Sequence, residues 1–166
     1  MVQLIISASL SSLFVGLFGV SWGSVDNKIE REFPAVSLIS TQQLNESRQS
    51  ETSSAKIFDV REPEEFTVSH LAGAINNSKS ADIAELVSDK NAEIIVYCSV
   101  GYRSAVVADA LASLGYTNVR NLKHSIFEWA EKGYPLVNSE GLVKFVHPFN
   151  RAWGALIDDS LHQYPQ

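Results

Sequence analysis

Residues 93–104 read Glu93-Ile94-Ile95-Val96-Tyr97-Cys98-Ser99-Val100-Gly101-Tyr102-Arg103-Ser104. The unbroken apolar run suits a central strand of a parallel sheet, buried on both faces. It leads straight into Cys98. After a short polar loop, residues 104–114 read as a helix closed by Gly115. Cys98 is therefore expected at the carboxyl end of a strand, facing a helix N-terminus, where open α/β sheets bind their ligands.

Working outward, short apolar strands alternate with helical stretches. Residues 36–39, 56–60, 74–76, 93–97 and 118–122 read as strands. Residues 41–48, 81–87, 104–114 and 126–132 read as helices. Such alternation needs crossover connections, so the chain predicts an α/β domain with a mainly parallel sheet and helices on both faces.

At 166 residues there is room for one ordinary domain with modest extensions. A composition of 45% hydrophobic and 19% charged residues suits a folded core, not disorder. The net charge is −6 and the 13 Lys and Arg are scattered, which argues against nucleic acid as a partner. Cys98 is the sole cysteine, so intrachain disulfides and CxxC motifs are excluded. The four histidines, His70, His124, His147 and His162, lack metal-ligand spacing, and no metal site is expected.

Nothing before Asp26 is charged, and residues 2–23 are mostly apolar with interspersed Ser and Gly. As a helix this stretch would span roughly 30 Å, about one hydrocarbon thickness. Three readings stand side by side: a cleaved secretory signal, a retained membrane anchor, and a buried helix of the fold. Residues 13–20 have the length of a signal's apolar run and small residues follow them, but no Lys or Arg precedes them. The domain expectation is a signal or anchor over 1–24, a linker over 25–33, the main domain over 34–138 and an extension over 139–166. It carries an expectation of export or membrane attachment through the N-terminal segment, in preference to the cytoplasm.

In the extension, Phe149, Trp153, Leu156 and Ile157 fall at i, i+4, i+7 and i+8. That spacing predicts a short amphipathic helix, capping the domain or offering a docking face.

The candidate chemistry centres on Cys98. A helix N-terminus and successive loop amides stabilise a thiolate. The helix contributes only about 0.3–1 kcal/mol, so the loop amides and a nearby cation must add to it. Arg103 is that cation, and Gly101 permits a bend that other residues resist. Tyr102 is a candidate for the pocket mouth. Glu62, Glu64 and Glu65 read as a solvated helix start around Pro63.

Four segments in order resemble the rhodanese-like sulfurtransferases. Residues 59–66, Asp59-Val60-Arg61-Glu62-Pro63-Glu64-Glu65-Phe66, resemble the family's Asp-Val-Arg segment. Residues 70–76 resemble its His-x-x-Gly-Ala-x-Asn segment, Cys98 to Arg103 its six-residue loop, and residues 121–135 its closing segment. The resemblance covers residues 34–138. It implies a central five-stranded parallel sheet and a cysteine that carries sulfane sulfur as a persulfide, without a cofactor.

On that resemblance Cys98 is the catalytic residue, and Ser99, Val100, Gly101, Tyr102 and Arg103 bind the substrate. The expected substrates are thiosulfate or a similar small sulfur anion, and a thiol acceptor. Asp59 and Arg61 are expected to brace the loop as a buried network, with His70 part of the scaffold. Related phosphatases and arsenate reductases use Cys-x5-Arg, whereas here four residues separate Cys98 from Arg103. Those oxyanion enzymes remain one rival reading, and a non-catalytic persulfide carrier or binding module is another. The chain departs from the family in having His124-Ser125 where many members have Gly-Gly, and Ala72 in place of a common Pro.

Overall fold

The structure is a computed structural model that describes residues 19–50 and 54–165. In chain order its elements are α1 (Trp22–Glu32), β1 (Ser37–Ile39), α2 (Thr41–Arg48), β2 (Lys56–Asp59), α3 (Pro63–Val68), β3 (Ile75–Asn76), α4 (Ser80–Leu86), β4 (Ile94–Tyr97), α5 (Tyr102–Ser113), β5 (Val119–Leu122), α6 (Ser125–Glu131), β6 (Leu136–Asn138), β7 (Gly141–Val143) and α7 (Arg151–Gly154). Five strands pair in the order β1-β5-β4-β2-β3, all parallel.

β4 occupies the centre of this sheet, and all four of its residues are buried. The pleat sends Ile94, Val96 and Cys98 into one core layer with Phe58, Val107 and Leu111. It sends Ile95 and Tyr97 into the other, with Leu44, Phe127 and Trp129. Helices α4 and α5 cover the first face, and α1, α2 and α6 the second. Both faces of the sheet are thus closed, which is why β4 reads as an unbroken apolar run.

The linker expectation for residues 25–33 is corrected: most of that stretch belongs to α1. Its average composition is polar, yet Trp22, Val25 and Ile29 recur at helical spacing, and Val25 and Ile29 are buried against the core. Ser21 and Ser24 cap its start reciprocally, backbone to hydroxyl, at 3.0 and 3.2 Å. The signal or anchor expectation falls largely on residues 1–18, outside the described residues. Among those described, no helix is long and apolar enough to cross a membrane.

The extension is corrected as well. β6 and β7 form an antiparallel hairpin, and the helix expected through Phe149 begins only at Arg151. Pro148 has no N–H to donate, and Phe149 lies at φ 64°, so neither continues a right-handed helix. Asn150 then caps α7, accepting from the amides of Ala152 and Trp153 at 3.0 and 3.1 Å. Trp153, Leu156 and Ile157 pack on the core, so this segment covers the domain, whereas Phe149 turns aside toward Arg103.

Candidate active site

β4 delivers Cys98 to the carboxyl end of the sheet, and residues 99–101 turn the chain into α5. Gly101 lies at φ 107°, a region that L side chains rarely adopt. A Cβ there would meet the Leu122 carbonyl oxygen and the Ile29 side chain at an ordinary 3.5 Å, so it is the backbone angle and not the space that calls for glycine. The turn brings the Gly101 N–H to 3.1 Å from Cys98 Sγ, and the Ser104 hydroxyl to 3.5 Å.

The loop is held from behind by the start of α6. The amides of Ile126 and Phe127 donate to the carbonyls of Cys98 and Ser99 at 3.2 and 3.1 Å. Asn121 donates to the Gly101 carbonyl at 2.8 Å. Ser125 Oγ accepts from the Cys98 amide at 3.1 Å and donates to the Leu122 carbonyl at 3.0 Å. The backbone of Cys98 is therefore pinned through a serine hydroxyl.

Where glycines would be unstrained, His124 and Ser125 lie at φ 56° and 49°. The departure from Gly-Gly leaves the left-handed backbone in place and adds side-chain contacts to it. Beyond the Ser125 contacts, His124 Nε2 lies 3.0 Å from Asp26 Oδ1 and Nδ1 lies 3.0 Å from Glu128 Oε1. Its ring packs against Trp22 at 4.3 Å between centroids. The side chain thus ties α1 to α6.

Arg103 points back across the loop. Its guanidinium donates to both Glu65 oxygens at 2.8 Å and to Ser99 Oγ at 2.9 Å, and Ser99 Oγ donates to Glu65 Oε1 at 2.9 Å. Glu65 is buried, at 2% exposed, which corrects its reading as part of a solvated helix start. The six-residue helix α3 turns it inward, and the Arg103 charge makes that burial tolerable. A buried partner for the loop arginine was the available signal: a cation packed at a sheet end needs a carboxylate.

Burial of Cys98 pushes its thiol up. The Arg103 charge, the Ser104 hydroxyl and the amides of Ser104 and Gly101 push it down and prevail, so the thiol is held below the ordinary cysteine range. It is a thiol prepared to act as a nucleophile.

Asp59 and Arg61 form a buried pair beside the loop. Arg61 Nη2 lies 2.6 Å from Asp59 Oδ2 and also donates to the Ser69 carbonyl at 2.6 Å. Asn76 Nδ2 donates to the carbonyls of Asp59 and Arg61 at 3.0 and 2.8 Å. The Val60 amide donates to the Tyr97 carbonyl at 2.9 Å, which links this network to the residue before Cys98. His70 keeps to the scaffold, with its ring stacked on Phe66 and Nδ1 3.0 Å from the Phe66 carbonyl.

Tyr102 lines the mouth of the site and is gripped by α1. Its hydroxyl donates to Glu32 at 2.7 Å, and Lys28 Nζ sits 4.7 Å from its ring centroid. With Val100, Phe149 and Trp153 it walls a cavity of about 170 Å³ that opens onto Cys98 and Arg103. The two aromatic walls come from the extension, whose spacing pointed to a cap or a docking face and not to the mouth of this site.

A family model described as the rhodanese-like domain matches residues 40–132. The chain is similar to "Thiosulfate sulfurtransferase PspE" of Escherichia coli (strain K12), 41% identical over 66 residues, covering 38% of this chain and 64% of that protein. It therefore spans just under two thirds of that relative's length. It is also similar to "Thiosulfate sulfurtransferase 16, chloroplastic" of Arabidopsis thaliana, 36% identical over 93 residues, covering 48% of this chain and 78% of the relative. Among solved structures, the rhodanese-related protein of Thermoplasma volcanium aligns with a TM-score of 0.53 at 29% identity, covering 61% of this chain and 97% of that chain.

Proposed function

The chain belongs to the rhodanese-like domain family, and from that membership and the loop geometry we propose that it moves sulfane sulfur through a persulfide on Cys98. The observation that carries this reading is the environment of Cys98 Sγ, which accepts a loop amide at 3.1 Å and is held below the ordinary thiol range against its burial.

In the first step the Cys98 thiolate attacks the outer sulfur of thiosulfate or a similar donor. A Cys98–sulfur bond forms, the donor's sulfur–sulfur bond breaks, and the rest of the donor, sulfite from thiosulfate or a thiolate from a persulfide, leaves with the electron pair. In the second, an acceptor thiolate attacks the terminal sulfur of the persulfide and the Cys98 thiolate departs. This is covalent, ping-pong catalysis.

The amides of Ser99 to Arg103 steady the persulfide, and Arg103 supplies charge-assisted hydrogen bonds. Asp59 and Arg61 act through the scaffold. The four-residue spacing from Cys98 to Arg103 supports sulfur transfer over oxyanion hydrolysis. Transfer from thiosulfate to cyanide, assayed beside aryl phosphate hydrolysis, tests the reading. The expected result is the first activity alone, abolished in Cys98→Ser; phosphate hydrolysis, or full transfer by Cys98→Ser, overturns it.

A further inference from the structure

The cavity above Cys98 is closed by residues that lie outside the matched domain. Phe149 and Trp153 belong to the extension, while the family match ends at residue 132. Phe149 is held at φ 64°, a backbone state that any residue with a Cβ resists. Its amide donates to His147 Nδ1 at 3.0 Å. The result is a ring placed against the Arg103 guanidinium, 4.7 Å from its central carbon. Trp153 is brought beside it by α7, whose start Asn150 caps.

Two properties of this cavity bear on what enters it. The first is charge. The guanidinium of Arg103 is already matched by the Glu65 carboxylate and that of Arg61 by Asp59, so an ionised Cys98 adds one negative charge that no side-chain cation of these pairs balances. A dianion such as thiosulfate enters against that balance, whereas a donor with a single charge meets less repulsion. The second is shape. The cavity measures about 170 Å³ and its walls are Val100, Tyr102, Phe149 and Trp153. An apolar cavity of about 150 Å³ is large enough to take up a benzene ring.

Building on the sulfur-transfer reading, we infer that Phe149 and Trp153 determine donor specificity and select singly charged sulfane-sulfur donors with an aryl body, the arylthiosulfonate class, over thiosulfate. Thiolate attack on the outer sulfur forms the Cys98 persulfide, and the sulfinate leaves with the electron pair of the broken sulfur–sulfur bond.

The test compares benzenethiosulfonate with thiosulfate as donor to cyanide, in the full chain and in Phe149→Ala and Trp153→Ala. Phe149 is 42% exposed, so its truncation leaves the core filled. The unmodified chain should favour benzenethiosulfonate by at least about tenfold in kcat/KM, and each variant should cut that ratio about five- to tenfold as apolar contact with the ring is lost. Equal use of the two donors overturns the inference, as does a ratio that neither variant changes. If the unmodified chain turns over neither donor, the sulfur-transfer reading fails on its own. The cavity is then judged by calorimetry with benzenesulfinate: binding weakened about tenfold in Phe149→Ala supports it, and an unmodified chain that does not bind overturns it.

Discussion

The Arg103 guanidinium meets the Glu65 carboxylate as a fork, Nη1 to Oε2 and Nη2 to Oε1, both at 2.8 Å. Two parallel bonds fix the plane of the guanidinium as well as its distance, so the loop cation cannot swing away from Cys98. Glu65→Gln keeps the size of the side chain and removes its charge. Removing one partner of a fully buried pair costs about 3–5 kcal/mol. The Arg103 side chain is 30% exposed and water compensates in part, so a loss of about 2 kcal/mol is expected in urea denaturation. Unchanged stability would show that the fork does not hold the loop.

The same pair sets an acid limit. Burial pushes the Glu65 carboxyl up, and the hydrogen bonds and charge of Arg103 overcome this, so it lies below its ordinary value of 4.5. The unfolded chain then takes up this proton more readily than the folded one. The pair's stabilisation is present in full above the unfolded value and fades as pH falls through the lower, folded value. The acid limb of a stability–pH curve should be shallower in Glu65→Gln than in the unmodified chain, and identical limbs would contradict the assignment.

Arg103 also lowers the Cys98 thiol. Arg103→Met should raise the pH midpoint of Cys98 alkylation by iodoacetamide and slow the reaction at pH 7 by about fivefold or more. The readout is unambiguous because Cys98 is the only cysteine. A midpoint that stays in place would assign activation to the Ser104 hydroxyl and the loop amides, without Arg103.

Ser125 combines a strained backbone with two useful hydrogen bonds, and two substitutions separate them. Ser125→Ala keeps the left-handed conformation at φ 49° and loses the contacts to Cys98 and Leu122. Ser125→Gly loses the same contacts and relieves the strain. The alanine variant should be the less stable of the two by about 1–2 kcal/mol, measured by thermal or urea unfolding. A more stable alanine variant would mean that the strain is absent.

Asp59 and Arg61 are almost fully enclosed, at 0% and 1% exposed. Asp59→Ala leaves a buried guanidinium without its ion partner and should cost about 3–5 kcal/mol. Adding Arg61→Met should recover part of that loss, because a neutral side chain of similar length has no charge to bury. A double variant less stable than Asp59→Ala would rule out the pair as the reason for the loss.

Much of the fold was legible because the sheet repeats one signal. β4, buried on both faces, carries an unbroken apolar run, and β1 and β2 carry shorter apolar cores of the same kind. Cys98 and Arg103 were legible for the same reason, since strand end, glycine turn and helix start lie next to each other in sequence. Glu65 was not. Its role depends on a partner 38 residues away, and the local pattern, acids after a proline, is equally that of a solvated first turn. The charged residues of α1 hid the regular spacing of Trp22, Val25 and Ile29. At Phe149 the helical spacing was present but the backbone was not, because a proline and a left-handed residue precede α7. Local periodicity misled wherever a distant ion pair or a single backbone angle decided the outcome.

Persulfide formation on Cys98 is read most directly from the mass of the Cys98 peptide after the protein is incubated with a sulfane-sulfur donor and freed of excess reagent. Cys98 should gain one sulfur atom, removed again by cyanide. A Cys98 peptide that stays at its unmodified mass with every donor, in protein shown to be folded, would contradict it.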